Sequence, residues 1–366
     1  PPVNALSWHV RQWLEDNFGA ALADDSVKAI VLRCAGATFI AGADVREFDK
    51  PPQSPHLPDV IAMLYDASKT WVAALHGTAL GGGLEVALAC KSRIAAPDAK
   101  LGLPEVNLGL IPGAGGTVRL PRLIGAEAAL DMIASGKPVS AHKALSLGLV
   151  DRIASQDLTE AATAFATEIS ASHKPAPHNM APAQAPIDRA AWEAKRSAIQ
   201  GRARGQIAPL AAIQAVENAF TLPREQALRE ERTLFTKLKN SPQSQAMRHI
   251  FFAERAVSKI ARLRGVTPRA LVQIGIVGGG TMGAGIAAAC LLSGLRVTML
   301  ERDDEILAAG LARVRAILQN SHSRRLIDAS QLAGILSDFK GTLDYAALSS
   351  ADLVIEAVFE KMDRPW

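Results

Sequence analysis

Over the first 150 or so residues, short apolar runs alternate with glycine-rich turns and amphipathic segments. Val27–Cys34 (VKAIVLRC) and Trp71–Leu75 (WVAAL) have strand length and read as strands. Val86–Lys91 (VALACK) follows a glycine cluster, and its small and aliphatic side chains suit the start of a buried helix. Residues 49–58 (DKPPQSPHLP) read as a proline-rich loop, Gly148–Ile153 (GLVDRI) as a last strand and Leu158–Ala171 as an alanine-rich helix. Pro175, Pro177, Pro182 and Pro186 exclude regular structure from 174–187. The stretch after them reads as helices. Ile213, Val216 and Phe220 fall at i, i+3 and i+7 on one face, and Pro223 and Pro242 stand near helix starts, where proline is tolerated. Met247, Ile250, Phe251 and Val257 mark another apolar face, interrupted by Glu254. Residues 271–277 (LVQIGIV) then form a buried-strand run, followed by glycines, a helix over Ala284–Leu292 and a strand at Leu295–Leu300 (LRVTML). The pattern predicts an α/β core over 1–173, a helical extension and linker over 174–265, and part of a second α/β domain over 271–366.

Composition narrows the function classes. Forty basic and 36 acidic residues leave a formal charge of +4, without a run of five like charges, so nucleic acid is not an expected partner. Cys34, Cys90 and Cys290 lie far apart and form no CxxC pair. No disulfide framework or metal site is therefore expected, and a reducing compartment is the default. No apolar stretch reaches about 20 residues, so no membrane span is expected, nor is a secretory signal. The opening on Pro1-Pro2 without Met and the close on Arg364-Pro365-Trp366 suggest a fragment cut at both ends.

Three segments carry candidate chemistry: Phe39–Asp44 (FIAGAD), His76–Glu85 (HGTALGGGLE), and Leu103–Gly109 (LPEVNLG) with its continuation Ile111–Thr117 (IPGAGGT). Gly81–Gly83 before a helix permit backbone conformations closed to other residues and close approach of a ligand. The helix start beyond them offers unpaired N–H groups and positive dipole character, which suits developing negative charge such as that on a thioester enolate oxygen. The small residues Ala41-Gly42-Ala43 can supply a second donor, and two convergent donors make an oxyanion hole. Glu85 and Glu105, at a helix start and in a Pro104 turn, can orient a water and pass its proton to carbon. Taken singly, each feature has a plain structural reading: a tight turn, a dipole partner, a surface loop.

Together, in order and spacing, these segments resemble the crotonase (enoyl-CoA hydratase/isomerase) family from Pro1 to about Arg152. The resemblance implies a superhelix of ββα turns and an acyl-CoA thioester substrate. It places the Ala43 and Gly82 N–H groups in the oxyanion hole and makes Glu85 and Glu105 the paired acid/base residues. It also sets Ala41 and neighbouring Asp44 at the substrate, with the Ala41 backbone against the CoA adenine. Having both glutamates implies syn hydration of a 2-enoyl-CoA to a 3-hydroxyacyl-CoA, with isomerisation of 3-enoyl-CoA carried by Glu105. A strand that family members place before PPVNALS is missing, which leaves the first sheet edge open.

Gly278, Gly280 and Gly283 fit G-x-G-x-x-G between a strand and an alanine-rich helix, and Glu301 ends the next strand 23 residues past Gly278. There an acidic residue meets the adenosine ribose and disfavours a 2′-phosphate, so NAD is the expected cofactor. This part resembles the NAD-binding half of 3-hydroxyacyl-CoA dehydrogenases. The run Ala351–Glu360 matches that family's strand toward the nicotinamide, with Glu360 near its ribose. The family's catalytic His–Glu pair lies beyond Trp366, and His249 and His322 are expected at the surface. Hydratase, helical spacer and dehydrogenase in this order resemble the multifunctional enzymes of β-oxidation, and the fold expected is α/β: a crotonase superhelix, a spacer and a partial Rossmann domain. The resemblance implies no cofactor for hydration, a thiolase subunit as a partner, and a cytoplasmic place in a bacterium or a peroxisomal one in a eukaryote. A different thioester reaction on the same scaffold, or a non-catalytic acyl-CoA-binding protein, are the alternative readings.

Overall fold

The computed structural model describes residues 4–171, 189–257, 260, 263 and 265–358. The proline-rich stretch 174–187 and Glu360 lie outside the described residues. Two compact units, Pro1–Ile260 and Ala261–Trp366, make up the chain.

The first unit opens with helix α1 (Trp8–Ala23), strand β1 (Ala29–Leu32) and helix α2 (Leu57–Tyr65). Then come β2 (Thr70–Leu75), β3 (Thr78–Leu80), α3 (Gly82–Ala89), β4 (Ser92–Ala95) and β5 (Lys100–Gly102). After them run α4 (Gly116–Ile124), α5 (Ala126–Ser135), β6 (Val139–Ser140), α6 (Ala141–Ser146), β7 (Arg152–Ile153) and α7 (Leu158–Ala171). Parallel strands in the order β1-β2-β4-β7 form one sheet, and β3-β5-β6 form another. The chain passes from β2 to β3 and from β4 to β5, one strand in each sheet, before a helix closes the turn. This is the ββα repeat expected of a crotonase superhelix. In β2 the strand period sorts the core: Trp71, Ala73 and Leu75 enter the main core, while Val72 and Ala74 face α7 with Phe165 and Ala162. A sheet buried on both faces explains why β2 reads as a continuous apolar run.

Several boundaries differ from the sequence reading. The proline-rich loop ends at His56, because Leu57 and Pro58 open α2, where proline fits the first turn. The helix expected to begin near Val86 begins at Gly82 and is buried on all sides. The strand read at Gly148–Ile153 shrinks to Arg152–Ile153. Buried Arg93 explains this: its Nε donates to the Leu149 carbonyl at 2.7 Å, and its own backbone N–H is taken by Asp151 Oδ2 at 2.7 Å.

The helical stretch continues as α8 (Arg189–Arg202), α9 (Ala208–Thr221), α10 (Arg224–Lys239) and α11 (Pro242–Val257). It does more than space two domains. Ala212, Ile213 and Val216 of α9 join the main core of the first unit, and α9 packs on α4 and α5. In α11 the expected apolar face is buried only in part: Met247 and Phe251 are half-buried. Ile250 is 54% and Val257 73% exposed, whereas Ser244 and Arg248 are buried. Arg248 donates to Asp49 at 2.9 Å and to Ser244 Oγ at 2.7 Å, and Ser244 Oγ donates to the Leu108 carbonyl. A polar seam thus holds α11 in place where periodicity predicted an apolar one.

In the second unit, β8 (Gln273–Val277), α12 (Thr281–Leu292), β9 (Arg296–Leu300), α13 (Asp304–Ser323), α14 (Ala329–Ser337), β10 (Phe339–Thr342) and β11 (Leu353–Glu356) form a parallel α/β layer. Strand order is β10-β9-β8-β11. Asp303 caps α13 by accepting from Ile306 N–H, and Asp328 with Gln331 forms a capping box on α14. His249 is exposed, but His322 is half-buried, its Nδ1 3.0 Å from the Ile327 carbonyl. Among the described residues, no helix is long and apolar enough to cross a membrane.

Candidate active site

Six residues singled out in the first unit line one cleft of 570 Å³: Ala41, Ala43, Asp44, Gly82, Glu85 and Glu105. Its frame is the junction of the two sheets. β3 pairs with β5, and Ile40 bridges to Ala79, which brings the Phe39–Asp44 turn beside the start of α3. Gly81 at φ +54° adopts a left-handed turn that favours glycine. A Cβ there would also meet Glu105 Oε1 at 2.8 Å. Gly82 opens α3, so its N–H is one of the orphan donors of a helix start. A Cβ on Gly82 would lie 3.6 Å from the Ala43 nitrogen, which brings the two amides to one spot. Among the described residues no backbone acceptor takes the Ala43 N–H.

Glu85 is buried on α3, and its Oε1 accepts from the Ala114 and Gly116 N–H groups, both at 2.8 Å. Burial pushes this carboxyl above the ordinary glutamate range. The two amides, Arg119 and Arg232 oppose that rise. Glu105 sits in a 3-10 turn over Glu105–Leu108. Its Oε2 is buried and without a hydrogen-bond partner. Burial first, and then the Glu85 charge, holds the Glu105 carboxyl well above the usual range. The two environments thus differ in kind: amides and guanidinium groups for Glu85, a bare oxygen for Glu105. A pair pushed apart in this way divides into a base and an acid.

The other two expected positions have local partners. The Ala41 N–H donates to the Asn4 carbonyl at 2.7 Å. The Asp44 carboxylate is engaged by Arg46, at 2.8 Å from Nε and 2.7 Å from Nη2, and this bond lowers its pKa. Sequence reasoning missed the contribution of the helical extension. Arg232 and Lys239 of α10 and Arg255 of α11, with Lys50, add positive charge to the same cleft. A third buried carboxylate, Glu231 of α10, lies behind it and accepts from Gly115 N–H at 2.6 Å. The signal was present, since Ala227, Glu231 and Leu238 fall on one stripe of α10 and an acidic residue on a buried stripe needs partners.

In the second unit the glycines take the places a dinucleotide turn requires. Gly278 has φ +99°. A Cβ on Gly283 would lie 1.8 Å from the Gly278 carbonyl oxygen, so only glycine lets α12 pack on the turn. Gly280 has open space where a Cβ would be, beside the first amides of α12. Glu301, just past β9, accepts from Gly279 N–H at 2.6 Å and so stands at the rim of the turn. An open helix start beside an acidic strand end fits a dinucleotide.

A family profile described as enoyl-CoA hydratase/isomerase matches residues 1–207. One described as the NAD-binding domain of 3-hydroxyacyl-CoA dehydrogenase matches residues 273–364. The chain is 41% identical over 372 residues to the peroxisomal bifunctional enzyme of Danio rerio, covering 99% of this chain and 51% of that protein. It is 38% identical over 378 residues to the glyoxysomal fatty acid beta-oxidation multifunctional protein MFP-a of Brassica napus, covering 99% and 52%. The chain therefore spans about half the length of the curated relatives it matches. A solved enoyl-CoA hydratase/isomerase from Pseudoalteromonas atlantica T6c is similar in fold, with a TM-score of 0.51 at 24% identity, covering 68% of this chain and 88% of that one. With the matched profile spanning more than half of its residues, the chain belongs to the enoyl-CoA hydratase/isomerase family.

Proposed function

We propose that the first unit adds water to a 2-enoyl-CoA thioester, giving a 3-hydroxyacyl-CoA, and shifts the double bond of a 3-enoyl-CoA into the 2-position. The observation that carries this reading is the meeting of Glu85, Glu105 and the Ala43 and Gly82 amides in one cleft. Glu85 orients the water and takes its proton as the oxygen bonds to C3. Charge moves onto the thioester oxygen, where the two N–H groups receive it. Glu105, whose carboxyl burial and the Glu85 charge hold well above the usual range, delivers a proton to C2. Isomerisation needs one group that removes a proton at C2 and returns it at C4, a task assigned to Glu105. The step uses carboxyl groups and backbone donors and is proposed to need no cofactor. Lys50, Arg232, Lys239 and Arg255 suit the anionic groups of CoA, and Ala41 and Asp44 are assigned to its contact surface.

For the second unit we propose NAD binding. Gly278, Gly280 and Gly283 shape the pyrophosphate turn at the start of α12, and Glu301 receives the adenosine ribose. NAD, when bound, accepts a hydride from the 3-hydroxyl carbon. In the whole protein this would oxidise the product of the first unit, in the order of β-oxidation. Glu360, assigned to the nicotinamide ribose, lies outside the described residues. A peroxisomal place is proposed for a eukaryotic source and a cytoplasmic one for a bacterial source. A thiolase subunit, which would cleave the 3-ketoacyl product, is the proposed partner.

The test is the loss of the conjugated enoyl-thioester absorbance when the chain is added. A steady fall with formation of 3-hydroxyacyl-CoA is expected. Binding of the thioester without turnover would favour an acyl-CoA-binding role instead.

A further inference from the structure

The four successive amides that lead into α4 are shared by two carboxylates in alternation. Ala114 and Gly116 donate to Glu85 Oε1, each at 2.8 Å. Gly115 donates to Glu231 Oε1 at 2.6 Å, and Thr117 donates to Glu231 Oε2 at 2.8 Å from its N–H and 2.6 Å from its hydroxyl. Glu231 is 2% exposed. It comes from α10, 146 residues after Glu85 along the chain (231 − 85). Gly115 adopts φ +104°, a conformation that favours glycine, and Arg119 Nη1 donates to the Ala114 carbonyl at 2.8 Å in the same turn. The turn is thus pinned from both sides. The side away from the cleft is held by a buried acidic group that neither hydration nor isomerisation uses.

We propose that Glu231 is a positioning residue for the hydration: by holding the Gly115 and Thr117 amides from behind, it fixes the Ala114 and Gly116 amides that aim the Glu85 carboxylate. This rests on the hydratase reading of the first unit. A buried acid would be a poor choice for mere packing, since burying a charge is unfavourable unless it is fully hydrogen-bonded. Here three donors meet its two oxygens. The charged groups beside it are Glu85 on α3, Glu105 in its 3-10 turn, Arg119 on α4 and Arg232 on α10 itself. Tyr65 and Arg224 flank Arg119. Where Glu231 is ionised, its charge raises the Glu105 carboxyl further. The helical extension therefore completes the active site from behind.

The test compares the wild-type chain with Glu231→Gln and Thr117→Val, using a 2-enoyl-CoA and measuring kcat and KM across pH. Amide hydrogen exchange over residues 113–117 is followed in parallel. In Glu231→Gln, one amide group replaces an acceptor that Thr117 uses twice, and the turn loosens. Its kcat should fall by about 10- to 100-fold, the scale of a small misplacement of a reacting group, with KM nearly unchanged. The alkaline limb of the pH profile should move to lower pH, because the charge that Glu231 gains as pH rises towards 8, and that raises Glu105, is gone. Exchange at 113–117 should speed up. Thr117→Val removes one donor and should lower kcat by about three- to tenfold, which keeps the test decisive if Glu231→Gln does not fold. A folded Glu231→Gln with wild-type kcat and an unmoved alkaline limb would overturn the proposal, as would wild-type kcat in Thr117→Val. If the wild-type chain hydrates no enoyl-CoA, the hydratase reading fails by itself. Unchanged exchange protection in the variants would then still overturn the hold of Glu231 on the turn.

Discussion

Adding one methyl group at Gly82 separates the chemistry of the oxyanion hole from the stability of the fold. A Cβ on Gly82 meets Leu57 Cδ2 at 2.9 Å, Leu6 Cδ1 at 3.1 Å and the Ala43 nitrogen at 3.6 Å. The first two are ends of flexible side chains, which can turn aside. Overpacking of this kind costs about 1–3 kcal/mol, and glycine to alanine inside a helix returns up to about 1 kcal/mol. The net destabilisation of Gly82→Ala is therefore about 3 kcal/mol at most. The methyl lies 3.6 Å from the Ala43 donor nitrogen, however, and mis-set donors lose transition-state stabilisation. Removing one such donor lowers kcat by about 10²–10³-fold. Gly83→Ala is the internal control. Its Cβ would lie 2.3 Å from the Ile40 carbonyl oxygen, a backbone atom in the segment that carries the hole. That variant should lose stability outright. Thermal melts and kcat with a 2-enoyl-CoA, measured side by side, give the answer. Gly82→Ala should be folded and slow, Gly83→Ala unstable. A folded Gly82→Ala with wild-type kcat would remove Gly82 from the hole.

Two further outcomes follow from the same geometry. The Glu231 carboxyl is raised from 4.5 to about 8 by burial and by the Glu85 charge. The folded state therefore holds a proton that the unfolded chain releases, and this contribution, full below about pH 4.5, is lost as pH rises towards 8. Stability of the first unit should fall over that window, by at most about 1.4 kcal/mol per pH unit for one proton. Denaturant titrations at several pH values should show a flatter profile in Glu231→Gln, and an unchanged slope would contradict the assignment. In the second unit, Gly283→Ala places a methyl 1.8 Å from the Gly278 carbonyl oxygen. Calorimetric titration with NAD should lose its signal in this variant, and wild-type affinity would remove the glycine turn from the cofactor site.

The parts of the site that could be read from the sequence are those made by neighbours along the chain. Gly81, Gly82 and Glu85 share one turn of one helix, so glycine freedom and helix-start chemistry are visible without the fold. Gly278, Gly280, Gly283 and Glu301 sit within a single strand–helix–strand unit, whose spacing is local as well. Glu105 joins them only through the β3–β5 pairing, and its place was legible because the family pattern carries that distance. Glu231 and Arg232 stand in REQALREERTLF, a helix rich in charges of both signs, where nothing but stripe position marks the buried one. Their role depends on α10 folding back onto α4, a contact across more than 100 residues that periodicity does not encode. The α11 face failed in part for a related reason. Its apolar residues suggested a core, but the Ser244–Arg248–Asp49 network decided which side faces inward.

The central claim is that two carboxyl groups divide the work at one oxyanion hole. Its most direct test measures hydration of a 2-enoyl-CoA and isomerisation of a 3-enoyl-CoA with wild type, Glu85→Gln and Glu105→Gln in parallel. Glu105→Gln should lose both reactions by about 10²-fold or more, the scale of general acid–base catalysis. Glu85→Gln should lose hydration to a similar extent and isomerisation much less, because only hydration needs an oriented water. Wild-type hydration by either variant, with the fold confirmed by circular dichroism, would contradict the account.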